Sequence, residues 1–85
     1  MITVRCLGHI CTSLGREEVS LEGDGLEAGE IVDRLRSMVA AGSAGFDRYN
    51  TLALVDKGEA CVAAASSRKI RDGETVVLIP FSHGG

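Results

Sequence analysis

The chain has 85 residues, of which 45% are hydrophobic, and its nine Lys and Arg against twelve Asp and Glu give a net charge of −3. A chain of this length folds as one domain and lacks room for both a core and a deep catalytic cleft, which favours a binding, carrier or regulatory protein over an enzyme. The basic residues are scattered, and the nearest to a cluster, 68–71, is followed by Asp72 and Glu74, so direct nucleic-acid binding is not expected.

The sequence shows no apolar run of the roughly 18 residues needed to cross a membrane and no visible export signal. We therefore expect a cytoplasmic protein without a membrane partner. The three cysteines are an odd number without framework spacing, and this favours reduced thiols over a disulfide scaffold.

The N-terminal third predicts a β-hairpin. Residues 2–7 alternate apolar and polar, which is typical of a half-buried strand, and residues 18–22 alternate again. Gly8 and residues 12–15 predict the turn between them. The residues expected to face the core are Ile2, Val4, Cys6, Val19 and Leu21.

A single helix is predicted after the break at residues 23–25, from about Ala28 to about Ala41. Glu27 and Glu30 lie in its first turn, where carboxylates interact favourably with the helix dipole, and Gly42 is a plausible stop. Apolar residues recur at helical spacing and define one buried stripe: Ala28, Ile31, Val32, Leu35, Met38 and Val39.

The C-terminal half predicts strands separated by short loops. We expect Phe46 and Tyr49 to anchor the loop 42–50 to the core, and residues 51–55 and 60–64 to form strands around a turn at 56–59. Ile70 is expected to be buried in the loop 66–71. Asp72-Gly73 marks a tight turn into the strongest strand, 75–79, which Pro80 ends.

This element order predicts an α+β protein of the β-grasp class. Its mixed sheet would have four to five strands, with the first and last strands parallel neighbours and one main helix packed across one face. The predicted domain is 1–81, and residues 82–85 are expected to be a flexible tail.

Strand alternation also predicts a surface for a partner protein. If Val76 and Leu78 face the core, four apolar side chains face the other way at the root of the tail, namely Leu7, Val77, Ile79 and Phe81. Such a patch suggests a docking surface, and the alternative is that loops of the chain itself cover it.

Three stretches together resemble a known protein family. They are Gly29-Glu30-Ile31-Val32, the segment Ile70-Arg71-Asp72-Gly73-Glu74 before the last strand, and the final Gly84-Gly85. The chain resembles the ubiquitin-like sulfur carriers: the molybdopterin synthase small subunit, the thiazole-synthesis sulfur carrier and the ubiquitin-related modifier. It departs from them in having Asp56-Lys57-Gly58 where an Asn-Gly turn is common, and Phe81 after Pro80 where a second proline is common.

The resemblance implies a function for the C-terminal carboxylate of Gly85. A partner adenylating enzyme would activate it with ATP, and sulfur from a persulfide would replace AMP to give a thiocarboxylate. Gly84 and Gly85 would thread the enzyme's channel because glycine has no β-carbon, and His83 could position the tail. No cofactor would be bound by the chain itself.

The acceptor and the outcome remain open in the sequence. The thiocarboxylate could supply a molybdopterin synthase large subunit or tRNA thiolation. Alternatively, the chain could be a modifier conjugated to lysines, or a non-catalytic β-grasp interaction domain for which Gly84-Gly85 is incidental.

Other chemistry has little support in the sequence. The spacing of Cys6, His9 and Cys11 matches no zinc pattern, so no metal site is expected. Neither Cys11 nor Cys61 has the neighbours of a catalytic Cys-His pair.

Overall fold

Strands from opposite ends of the sequence meet at the centre of a five-stranded sheet. The computed structural model describes residues 1–39 and 45–81. The elements are β1 (Ile2–Cys6), α1 (Gly8–Leu14), β2 (Glu18–Leu21), β3 (Leu26–Glu27), α2 (Ala28–Ser37), β4 (Thr51–Asp56), β5 (Cys61–Ala64), β6 (Lys69–Ile70) and β7 (Thr75–Pro80). The sheet order is β2-β1-β7-β4-β5, in which β1 and β7 are parallel and the other neighbours antiparallel. This mixed sheet with α2 confirms the predicted β-grasp class.

The core lies between the sheet and α2, as alternation predicts. The helix contributes Ile31, Val32 and Leu35, each at most 2% exposed. The sheet contributes inward-facing residues from β2, β1, β7 and β4. They are Leu21, Val19, Ile2, Val4, Cys6, Val76, Leu78, Ala53 and Val55. The predicted inward positions of β1, β2 and β7 are therefore confirmed.

The start of α2 is held by backbone groups instead of a capping side chain. Glu27 occupies the N-cap position without a side-chain hydrogen bond. The first free N–H groups, of Ala28 and Gly29, donate to the carbonyls of Arg68 and Ser66, both at 2.9 Å. The same connection is reinforced by β3 and β6, which pair antiparallel and place the fully buried Ile70 beside Leu26.

The predicted turn at Gly8 and residues 12–15 is wrong, because Gly8–Leu14 forms the short helix α1. Ile10 is fully buried in the core, and Gly15 ends the helix in the left-handed region at φ 76°. Seven residues give too few turns for a periodic pattern to stand out in the sequence.

Two predicted core contacts are also wrong. Met38 follows the end of α2 and is 54% exposed, and Tyr49 is 74% exposed. Phe46 is 1% exposed and anchors the loop to the core, as predicted. The predicted continuation of the helix to Ala41 lies partly outside the described residues.

Candidate partner-binding face

The sheet face opposite α2 is accessible in the part of the chain that the structure describes. On this face the central strands carry alternate residues such as Arg5 and Val77, and none of the residues there is buried. No helix packs on this side within the described ranges 1–39 and 45–81, because α2 covers the other face and Ile10 of α1 belongs to the core. The loops within these residues therefore do not cover the predicted patch, which was the alternative to a docking surface.

Three leucine and isoleucine side chains form a row across this face. The parallel register pairs Cys6 with Leu78, and the N–H of Leu7 donates to the Leu78 carbonyl at 3.1 Å, which places Leu7 beside Ile79. On the other side of β7, Leu52 pairs directly with Ile79. Leu7 is 49% exposed and Leu52 39% exposed.

A second row lies one step further along β7. Val77 is flanked by Arg5 on β1 and by Leu54 on β4, and Leu54 in turn pairs with Ala63. Beyond it the face becomes polar at Thr75 and Asp56. The apolar part of the face, which we call the open-face patch, comprises Leu7, Leu52, Leu54, Val77 and Ile79.

The structure thus brings together three of the four predicted patch residues, and Phe81 lies at their border. Phe81 is 42% exposed, and its N–H donates to the Asn50 carbonyl at 2.9 Å. It lines a cleft together with Gly29 and Val32 of α2 and Leu52 of β4.

The sequence reasoning missed Leu52 and Leu54. Their strand was predicted, but its faces were not assigned. Because Ala53 and Val55 are the buried residues of β4, the period of two that placed Val77 and Ile79 would also have placed Leu52 and Leu54 outward.

The end of β7 is flanked by residues that the prediction did not include. His9 of α1, Asn50 and Pro80 line a shallow cleft together with Phe81. Asn50 itself is held by the loop before β4, where the N–H of Asp47 donates to Asn50 Oδ1 at 2.8 Å. His9 and Asn50 therefore lie beside the last residues of β7. The predicted tail residues His83, Gly84 and Gly85 lie outside the described residues.

The three cysteines differ in how deeply they are buried. Burial, with a smaller contribution from Cys11, raises the pKa of the Cys6 thiol to about 11, which disfavours the thiolate. Cys11 is partly buried and Cys61 is exposed. Within residues 1–39 and 45–81, no group of three metal-ligating side chains is present. No helix of this part of the chain is long and apolar enough to cross a membrane.

Comparison with known proteins identifies the same fold in small proteins of similar length. No protein-family model and no curated protein sequence matches the chain. The structure superposes on small archaeal modifier protein 1 from H. volcanii with a TM-score of 0.71 and 18% identity, covering 95% of this chain and 97% of that one. A putative molybdopterin converting factor, subunit 1, from Pyrococcus furiosus gives a TM-score of 0.71 at 14% identity, with coverage of 95% and 97%.

A third solved structure is a chain of the BexX/CysO complex from Amycolatopsis orientalis, with a TM-score of 0.64, 20% identity and full coverage of both chains. These similarities confirm, at the level of the fold, the resemblance that the sequence indicated.

Proposed function

We propose that the chain is a sulfur carrier protein whose working group is the C-terminal carboxylate of Gly85. A partner adenylating enzyme activates this carboxylate, and the product is a thiocarboxylate that donates sulfur. The observation that carries the proposal is the open-face patch at the end of the central strand β7, directly before the segment that contains Gly84-Gly85.

The reaction needs a partner because a free carboxylate is ionised and unreactive at neutral pH. Its oxygen attacks the α-phosphate of ATP, the bond to pyrophosphate breaks, and an acyl-adenylate forms. The terminal sulfur of a protein persulfide then attacks the acyl carbon and expels AMP, leaving an acyl disulfide. A thiol cleaves that disulfide, taking the donor's sulfur into a new disulfide and releasing the thiocarboxylate on Gly85.

The open-face patch supports a carrier role because it supplies a docking area next to the reacting end. A partner that contacts Ile79 and Leu52 is positioned to receive the few residues that follow Phe81. The buried centre of a protein interface is more apolar than the rest of the surface, and a polar rim surrounds it. Arg5 and Asp56 provide such polar positions on the same face.

The names of two structurally similar proteins support the kinds of partner that we propose for this chain. One is described as a converting factor subunit for molybdopterin, and another was solved in a complex with a second protein. For this chain we propose two partners: an adenylating enzyme related to ubiquitin-activating enzymes, and a sulfur acceptor such as a molybdopterin synthase large subunit or a tRNA-thiolation enzyme. The use of ATP by the first partner and the three free thiols suit a cytoplasmic site of action.

The test measures pyrophosphate release and intact mass after incubation with ATP, the adenylating enzyme and a persulfide source. The wild-type chain should gain the mass difference between sulfur and oxygen. Deleting Gly85, or adding one residue after it, should abolish both signals without changing thermal stability. Gly84→Ala should reduce the rate less severely, because a single methyl group must pass the enzyme's channel. Wild-type activity in the Gly85 deletion would overturn the proposal in favour of an interaction domain.

Protein modification is a second candidate, favoured by the neighbour described as a modifier protein. Both functions begin with the same adenylate, and they separate at the next step. In the modifier function a lysine amine of a target replaces AMP and an isopeptide bond forms. Isopeptide-linked conjugates in cells that depend on Gly85 would identify this function, and a thiocarboxylate without conjugates would identify the carrier.

A further inference from the structure

Strand β5 is an edge of the sheet that has no charged residue, proline or bulge. It is last in the strand order and pairs only with β4 among the described strands. Residues 60–65 contain no charged side chain and no proline, and the register with β4 is free of bulges. The opposite edge strand, β2, is instead flanked by Glu17, Glu18 and Glu22. Exposed neutral edges are templates for pairing with another strand, whereas charges on an edge prevent it.

The hydrogen-bond pattern shows which groups of β5 point outward. The N–H of Lys57 donates to the Ala60 carbonyl at 2.9 Å. Antiparallel pairs alternate between hydrogen-bonded and non-hydrogen-bonded, so Val62 and Ala64 bond to β4. The N–H and C=O groups of Cys61 and Ala63 therefore point away from the sheet.

We propose that β5 pairs with β5 of a second copy of this chain, antiparallel and across a twofold axis. In this register Cys61 lies opposite Ala63 of the second copy, and both exchange their outward N–H and C=O groups. Val62 lies on the axis, opposite Val62 of the second copy at a non-hydrogen-bonded pair, where side chains approach most closely. The two sheets become one continuous sheet.

The occupant follows from self-complementarity and charge. Val62 is 46% exposed although it is a β-branched residue on the helix side of the sheet, and pairing with its own copy would cover it. No charge along the strand opposes the approach of two copies that are both negative overall. Antiparallel pairing also directs Glu59, which precedes β5, towards the C-terminal end of β5 in the other copy. Arg68 and Lys69 follow that end of the strand in the sequence.

The arrangement has a consequence for the open-face patch. Because the twofold axis is perpendicular to the sheet, both copies present this patch on the same side. A partner with twofold symmetry could then bind both copies together. The pairing itself does not depend on Gly85, so it can hold or fail independently of the proposed sulfur chemistry.

The test is sedimentation equilibrium over a concentration series under reducing conditions, with proline variants at the two edges. The wild-type mass should double with rising concentration. Ala63→Pro removes an outward N–H without removing a bond to β4, and it should stay monomeric. Ser20→Pro is the matched control, because the bond from Cys6 N–H to the Glu17 carbonyl places Ser20 outward on β2. This variant should dimerise like the wild type.

A second pair of variants distinguishes the loss of strand pairing from misfolding caused by the introduced proline. Val62→Lys places like charges on the axis and should abolish the dimer, whereas Val62→Thr keeps the branched shape and should retain it. Amide exchange at Cys61 and Ala63 should slow as the wild-type dimer forms. A wild type that stays monomeric into the millimolar range, or a dimer that survives both Ala63→Pro and Val62→Lys, overturns the proposal. Protection of these amides only when a different protein is added overturns it too, in favour of a donated strand.

Discussion

Gly8 and Pro80 pack so closely that a β-carbon on Gly8 would lie 2.8 Å from Cγ of the proline ring. Gly8 also has φ 60°, a conformation that other L-residues rarely adopt. The contact joins the first residue of α1 to the last residue of β7. It therefore fixes the point at which the chain leaves the sheet.

We expect Gly8→Ala to destabilise the protein more than the same change at Gly15. Gly15 has φ 76° but open space around it, so Gly15→Ala should cost only the backbone strain of about 1–2 kcal/mol. At Gly8 the clash with Pro80 is added, for a total of about 2–5 kcal/mol. Urea denaturation of both variants measures the difference. Equal free energies of unfolding would contradict the close contact.

Leu35→Ala should lower the free energy of unfolding by about 2–5 kcal/mol, because Leu35 is fully buried between α2 and the sheet. Met38→Ala is the control on the same segment, since Met38 is largely exposed. Its effect should stay within about 0.5 kcal/mol. A similar loss in both variants would show that the helix stripe is buried differently.

Ile79→Asp should leave the domain folded and weaken binding to the proposed adenylating enzyme. Ile79 is only partly buried and lies in the middle of the row with Leu7 and Leu52, where a charge at an interface centre is poorly tolerated. We expect the Kd from isothermal titration calorimetry to rise about tenfold or more.

Met38→Asp introduces the same charge at an exposed apolar residue outside the open-face patch, and it should bind like the wild type. If both variants lose binding equally, the partner does not use this face in particular. Circular dichroism and a denaturation curve for each variant separate lost binding from lost folding.

Glu74 predicts a pH dependence of stability. Its carboxylate accepts a 2.7 Å hydrogen bond from the Arg71 N–H and lies 3.3 Å from Lys57 Nζ. The backbone hydrogen bond, with a smaller contribution from Lys57, lowers the pKa of Glu74 in the folded state. A lowered folded pKa stabilises the protein above the ordinary glutamate pKa of about 4.3, and this contribution is lost as pH falls through the folded pKa.

Glu74→Gln should therefore be less stable than the wild type at pH 7, and the difference should shrink as the pH falls below that range. Asp56→Asn on the neighbouring turn is a matched comparison, because it removes one carboxylate while its side-chain oxygen still accepts the Gly58 N–H. A gap between wild type and Glu74→Gln that stays constant down to acid pH would contradict the assignment.

Period-two alternation was sufficient to place Val76 and Leu78 in the core and Val77 and Ile79 on the open face. It succeeded because the central strands are long and one face of the sheet is covered by a helix. It could not reveal α1, where one buried residue, Ile10, decides the packing in a segment too short for periodicity. Nor could it show that Tyr49 is exposed while Phe46 is buried, because both lie in a loop without a periodic pattern and only the tertiary structure decides which one is buried.

The tail residues were predicted from their type and position, and the docking residues from the neighbouring strand. Alternation along β4 would have placed Leu52 and Leu54 outward, but their position beside Ile79 and Val77 follows only from the β4–β7 register, which depends on contacts between distant segments. The backbone capping of α2 by Ser66 and Arg68 likewise has no local sequence signal, since carbonyl groups are present at every residue.

The parallel pair β1–β7 also determines when the domain can form during synthesis. Residues 2–6 emerge first, yet their central neighbour consists of residues 75–80. Contacts between such distant segments form slowly and late in folding. The sheet can close only after β7 has emerged, so a chain interrupted before that point has no completed open-face patch. In the proposed carrier function, an unfinished molecule would therefore lack the surface that binds the adenylating enzyme.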